Sequence, residues 1–345
     1  MEEIRKSFSF KDMFVFSNSN KNIVKLCSLG FGLLLISWLI SQLEWDTTLE
    51  VLRNVPLSLL LLGFLCYALS FYLRARRFKI LLPDDKQVKH LFPIVLVHYT
   101  ALNIIPARLG EISYVYLLKK VNNISTGYSV SSLLMARVFD QIAISVLFLC
   151  SSCFVRFPSQ WHRILAFGVG AILLTIVALL LLMLAYKEQF VRWIRRFAAL
   201  LKWDKYRLIQ RILHEMHNIL DAFKRIRVRK YAAKVFGLSL LIWLCIFSVN
   251  YVLLRAFYTG LTYGQLVLVS TVIILIRILP FQLLGGFGIH EISWVFLLVQ
   301  LGVPKNVAII SGLGSHLLCT LYLGLFSIYG FSKLQASLFD RVENT

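Results

Sequence analysis

The chain has 345 residues, of which 58% are hydrophobic and 16% charged, and its mean hydropathy is +0.74. Soluble domains carry about 25% charged residues, so this composition excludes an ordinary soluble enzyme and favours an integral membrane protein. The formal net charge of +20 could suggest nucleic-acid binding. However, 14 of the 37 Lys and Arg lie in one segment, 187–234, as in the positive-inside pattern of membrane proteins. We therefore expect no nucleic-acid partner.

Six apolar stretches are long enough to cross a hydrocarbon core, which takes roughly 20 helical residues. They are residues 24–43, 57–73, 128–155, 161–186, 234–258 and 307–331. Two further regions, 91–118 and 264–303, are apolar but interrupted. The pattern predicts an all-α polytopic membrane protein.

The distribution of Lys and Arg predicts which segments face the cytoplasm. We expect a cytoplasmic N-terminal segment (1–23), a first membrane bundle (24–186), a basic segment (187–233), a second bundle (234–331) and a cytoplasmic tail (332–345). The loops 74–90 and 119–127 are also placed inside. The basic segment has helical periodicity, which suits amphipathic helices at the membrane interface or, equally, a solvated helical connector.

An internal repeat links the two interrupted regions. Residues 111–118 read EISYVYLL and residues 291–298 read EISWVFLL, with six of eight positions identical. Proline and glycine precede each copy, and these residues break helices or open them without steric cost. Each region is therefore predicted to be a half-helix, a break and a second half-helix. The predicted hinge residues are Pro106, Gly110, Pro280, Gly285, Gly286 and Gly288.

The predicted topology orients these two pairs oppositely. Both ends of 91–118 would face the cytoplasm, and both ends of 264–303 would face the exterior. Two similar re-entrant pairs entering from opposite sides form an inverted repeat. Transporters often place their substrate between such pairs near the bilayer midplane.

Six ionisable side chains are predicted at membrane depth, where each costs about 2.5–3.5 kcal/mol to insert. They are Arg108, Glu111, Arg137, Asp140, Arg277 and Glu291. Arg108 with Glu111, and Arg137 with Asp140, are three residues apart, which places each pair on one helix face. The groups could be structural ion pairs, or they could line a cavity for a charged headgroup. Arginine suits phosphate because its planar donors match phosphate oxygens.

Other chemically interesting residues give weaker signals. His290 and His316 are expected to be hydrogen-bonded core residues. Cys150 and Cys153 form a C-x-x-C, which we interpret as two apolar helix residues, with a disulfide left open. No metal site is predicted, and the sequence lacks a phosphate-binding ATPase loop, so no cofactor is expected.

The motif set resembles a known family. Asn103, Pro106, Arg108, Gly110 and Glu111, then Arg137 and Asp140, then Pro280 with the glycines before Glu291, are similar to the lysylphosphatidylglycerol synthase transmembrane region. The resemblance covers roughly residues 20–335. It implies about eight transmembrane helices with re-entrant pieces in a bacterial cytoplasmic membrane. It also implies movement of a phospholipid or lipid-linked headgroup between leaflets, bound by Asn103, Arg108, Glu111, Arg137, Asp140, Arg277 and Glu291.

The resemblance also leaves other functions open. The family's synthases add a cytoplasmic aminoacyl-transferase domain, whereas this sequence ends at Thr345 without one, so lysyl transfer is not expected. One alternative is a membrane glycosyltransferase-type enzyme using a lipid-linked donor, which the few predicted outer acids (Glu44, Asp46 and Glu50) disfavour. Another is an accessory scaffold subunit of a lipid-modifying system. A partner enzyme and a homo-oligomer stay open.

Overall fold

A computed structural model describes most of the chain: residues 37–45, 48–49, 53–83, 88–105, 109–157, 159–186, 188–189, 192, 194, 196, 200, 228–258, 260–277 and 288–343. The regular secondary structure of these residues is helical. The main helices are α1 (Leu57–Leu81), α2 (Leu91–Ile104), α3 (Glu111–Asn122), α4 (Thr126–Phe154), α5 (Gln160–Ala185), α6 (Val228–Arg255), α7 (Tyr263–Ile276), α8 (Ile289–Gln300) and α9 (Lys305–Glu343).

Five of these helices, α1, α4, α5, α6 and α9, are long and apolar enough to cross a membrane. Helix α4 lies at the centre, where it contacts α1, α3, α5, α6 and α7. Helix α5 is apolar around its whole circumference, yet most of its residues are exposed. A lipid environment accepts such a surface because its tails are as apolar as the side chains.

The predicted spans correspond to these five helices, apart from 24–43, of which only 37–43 lie within the described residues. The main difference is in α1, which continues eight residues beyond the predicted end at 73. Arg74 and Arg77 therefore lie on a helix and are buried, at 7% and 0% exposure. Their assignment to a loop was wrong. Most of the basic segment 187–233 lies outside the described residues.

The two interrupted regions each contain a helix of 14 residues followed by one of 12 residues. The first break separates α2 from α3, and the second separates α7 from α8. This confirms two short helices in each region. Pro106, Pro280, Gly285 and Gly286 lie outside the described residues.

Gly110 and Gly288 each precede the second helix of a pair, but they are required for different reasons. Gly110 has an ordinary φ of −57°, and a Cβ there would lie 2.4 Å from the Ala101 carbonyl oxygen. Gly288 has φ of +90°, a conformation that side chains of L-residues rarely adopt. The first glycine permits close packing of α2 on α3, and the second permits a backbone turn.

Candidate functional site

A buried ion pair joins α1 to the middle of α4. Arg77 donates to both carboxylate oxygens of Asp140, at 2.5 and 3.1 Å, and its side chain is fully buried. Ser239 and Trp243 of α6 complete the network: the Ser239 hydroxyl accepts from Arg77 at 2.7 Å, and the Trp243 indole donates to Asp140 at 2.8 Å. Each charge is thus compensated by a fork of hydrogen bonds, as burial requires.

A second pair joins α4 to α3. Arg137 Nη2 donates to Glu111 Oε1 at 2.9 Å, and the two side chains are 32% and 30% exposed. The expected grouping of Arg137 with Asp140 was wrong as an ion pair, because each side chain turns to a different neighbouring helix. Arg108, expected beside Glu111, lies outside the described residues.

Arg74, like Arg77, is a buried charged residue that sequence analysis missed. Its guanidinium carbon lies 4.2 Å above the ring centroid of Tyr99 on α2, a cation–π contact. Its Nε is buried without a hydrogen-bond partner, and no carboxylate of the described residues lies within salt-bridge distance. The buried neighbours Phe71 and Phe78 follow the same helical period, and this signal could have placed Arg74 inside.

Together, Arg74, Arg77, Arg137, Glu111 and Asp140 form what we call the arginine cluster. All three arginines lie within electrostatic range of Asp140. The cluster has three positive charges and two negative ones, so it carries a net positive charge in a largely buried setting. Asn103 uses one of its two amide N–H groups within α2, where Nδ2 donates to the Tyr99 carbonyl oxygen at 2.9 Å.

A different arrangement surrounds the second motif copy. Glu291 is fully buried, and its Oε2 accepts the Gly288 N–H at 2.6 Å, capping α8. Its Oε1 is hydrogen bonded to Nδ1 of His316 on α9. The His290 ring centroid lies 4.7 Å from that of His316. We call Glu291, His290 and His316 the histidine cluster. His316 is a hydrogen-bonded core residue, as expected, but its partner is a carboxylate.

Arg277 caps the C-terminus of α7 and lies within electrostatic range of both Glu291 and His290. It is half-buried. The structure therefore brings Arg277 and Glu291 to one region, and Glu111, Arg137 and Asp140 to another.

A cavity of about 830 Å³ lies elsewhere, between the ends of α4 and α5. Its lining includes Cys153, Arg156 and Arg163 and none of the predicted site residues. Cys150 and Cys153 are both exposed with free thiols. Within the described parts of the chain, no group of three or more His, Cys, Asp or Glu could hold a metal ion.

Comparisons with known proteins agree with the helical membrane architecture. The family described as "Lysylphosphatidylglycerol synthase TM region" matches residues 25–327. A UPF0104 membrane protein, MJ1595, of Methanocaldococcus jannaschii is 22% identical over 304 residues, covering 80% of this chain and 86% of the relative. No solved structure matches the chain.

Proposed function

The chain belongs to the lysylphosphatidylglycerol synthase transmembrane-region family, and on that basis we propose that it moves a lipid with a phosphate-bearing headgroup between bilayer leaflets. The lipid is a phospholipid or a lipid-linked headgroup. The observation that carries the proposal is Arg74, a buried cation that contacts an aromatic ring and, among the described residues, has no carboxylate within salt-bridge distance. A buried arginine at membrane depth without a carboxylate at salt-bridge distance among the described residues is costly and marks a ligand or ion pathway.

The chemistry of the arginine cluster supports an anionic ligand. Arg77 and Arg137 already have carboxylate partners, so their forks are partly occupied. Arg74 supplies the remaining charge beside them, and guanidinium groups bind phosphate oxygens through parallel hydrogen bonds. A phosphate would neutralise the net charge of the cluster and thereby recover part of the burial cost.

The two helix pairs support a transport path. We propose that α2–α3 and α7–α8 are re-entrant pairs of an inverted repeat within about eight transmembrane helices, with the N-terminus in the cytoplasm of a bacterial cell. Their matching helix lengths and shared motif support this. Cysteine labelling from each side of the membrane should find Lys119 and Gly302 on opposite sides. Both on one side would contradict the inverted repeat.

A proteoliposome assay tests the function. Fluorescent phosphatidylglycerol and a fluorescent phosphate-free glycolipid would each be followed between leaflets by quenching from outside. The wild type should move the phospholipid. Arg74→Gln should slow it about tenfold or more, because a charge-assisted hydrogen bond contributes about 1.5–3 kcal/mol.

Arg76→Gln is the matched control. Arg76 lies on the same helix but is exposed, with its guanidinium 6.0 Å from the Tyr72 ring centroid. Its substitution should leave transport unchanged. If correctly folded Arg74→Gln moves the phospholipid at the wild-type rate, the assignment of Arg74 as a headgroup-binding residue is wrong. If the wild type moves the phosphate-free glycolipid as fast as the phospholipid, recognition of a phosphate is contradicted.

A further inference from the structure

The histidine cluster is unusual because it brings together three titratable groups, of which Glu291 and His316 are buried and His290 is partly buried. Glu291 is 0% exposed and His316 is 8% exposed, and the Nδ1 atom of His290 is buried without a hydrogen-bond partner. If only helix packing were needed, a neutral hydrogen-bonded pair would join α8 to α9 at lower cost. The cluster therefore contains more groups that can bind a proton than are needed to hold α8 against α9.

We propose that the histidine cluster is a proton-binding site, and that its occupancy is coupled through Arg277 to binding of the anionic headgroup. The inference rests on the proposed function and adds to it the ion that would accompany the lipid. It concerns residues of α7, α8 and α9, whereas the arginine cluster is built from α1, α3 and α4.

The hydrogen-bond pattern shows where the proton goes. An ionised carboxylate can only accept hydrogen bonds, so Nδ1 of His316 donates to Oε1 of Glu291. The Nδ1 atom of His290 is buried without a hydrogen-bond partner, and the His290 ring lies 4.7 Å from that of His316, so a further proton from water binds His290 and converts its ring to an imidazolium. Release to water on the other side restores the starting state.

Coupling follows from the charges that face the cluster. Among the described residues, the arginine within range of Glu291 and His290 is Arg277 of α7. Tyr67 of α1 and Cys319 of α9 also lie within range of Arg277, and both residue types are neutral near neutral pH. Arg277 opposes a second positive charge on the histidines. Tyr67 also lies within electrostatic range of Arg74, so a phosphate held at Arg74 offsets part of the Arg277 charge, and headgroup and proton favour each other's binding reciprocally.

Trp294 provides a local reporter. Its side chain is 1% exposed, and its ring lies 5.9 Å from that of His290. A protonated imidazole quenches indole fluorescence. The Trp294 signal is the difference between each protein and the same protein carrying Trp294→Phe. In detergent it should fall as pH decreases, and the titration should disappear in His290→Gln.

His290→Gln is the decisive variant because the hydrogen bonds of Glu291 go to Gly288 and His316, so the loss of His290 leaves the α8–α9 contact in place. His316→Gln is a second variant, which removes the other imidazole of the histidine cluster. His162→Gln is the matched control: His162 pairs with Ser159 at the start of α5, far along the chain from the cluster. The Trp294 titration in His162→Gln should match that of the wild type.

The coupling is tested by adding short-chain phosphatidylglycerol to the same samples. The titration midpoint should move about one to two pH units upward, the range of typical coupling energies. Arg277→Gln should move it upward without lipid and abolish the lipid effect. An absent titration in the wild type, or a midpoint that the lipid does not move, would overturn the proposal.

Failure of the proton site and failure of transport are distinguishable. If the midpoint shifts with lipid but proteoliposomes move no phospholipid, the coupled site stands and the translocase proposal fails. If phospholipid moves equally fast with and without a pH gradient and does not accumulate, the proton coupling fails alone. With one proton per lipid, one pH unit should support up to about a tenfold ratio of lipid between leaflets.

Discussion

The two copies of the eight-residue motif differ in their surroundings far more than in their sequence. Glu111 opens α3, is half-exposed and pairs with Arg137 in the arginine cluster. Glu291 lies in the first turn of α8, is fully buried and bonds to His316 in the histidine cluster. The difference indicates that helix neighbours determine what a repeated carboxylate does, since α4 offers an arginine and α9 offers a histidine.

The largest expected difference concerns Asp140, because its buried partner is a permanently charged arginine, whereas the buried Glu291 is paired with a histidine. Asp140→Ala should destabilise the protein by about 3–5 kcal/mol, since it leaves the Arg77 charge buried without its partner. Thermal unfolding in detergent measures the loss. The double variant Arg77→Met/Asp140→Leu should recover most of it. Equal melting temperatures for Asp140→Ala and wild type would show that the pair is solvated.

The glycines before the two motif copies sharpen the comparison. Gly110→Ala should cost about 1–3 kcal/mol or more, because its new methyl group overlaps the backbone of Ala101. Gly288→Ala should cost about 1–2 kcal/mol from its positive φ. The melting temperatures of the two variants would show which substitution destabilises the protein more. Gly324→Ala, with open space around it, is the control. A Gly110→Ala variant as stable as this control would refute the close approach of α2 and α3.

The last prediction compares the two glutamates directly, and its Glu111 variant has the smallest expected effect. Glu291→Gln should lose about 1–3 kcal/mol of stability, because its amide cannot accept from both Gly288 and His316. Glu111→Gln should lose no more than about 1 kcal/mol, since exposed pairs contribute little. Chemical denaturation of the two variants in parallel would test the difference. A lower free energy of unfolding for Glu111→Gln than for Glu291→Gln would contradict the assignment of Glu291 as the more enclosed carboxylate.

Much of the architecture could be predicted because it depends on hydropathy and local residue chemistry. The five long helices and the two breaks follow from apolar length and from proline and glycine positions. The partners of the charges could not be predicted, since they depend on helix packing. Arg137 and Asp140 share a helix face in sequence spacing, yet one turns to α3 and the other to α1.

Arg74 and Arg77 were missed for a related reason. The positive-inside rule assigns clustered arginines to loops, and it does not distinguish an arginine at the end of a span from one buried inside the bundle. Their three-residue spacing alongside Phe71 and Phe78 carried the relevant signal. The histidine cluster joins residues 25 positions apart, so no local pattern could reveal it.

Helix α9 touches both helix pairs along its length. His316 bonds to Glu291 of α8, and Ser327 bonds to Thr100 of α2. These contacts are 11 residues apart, so a continuous α-helix separates them by about 16 Å. Within this stretch α9 acts as a stiff rod with one attachment in each pair. A rotation or slide of this helix that strains one attachment must also strain the other, which gives the protein a mechanical link between its two helix pairs.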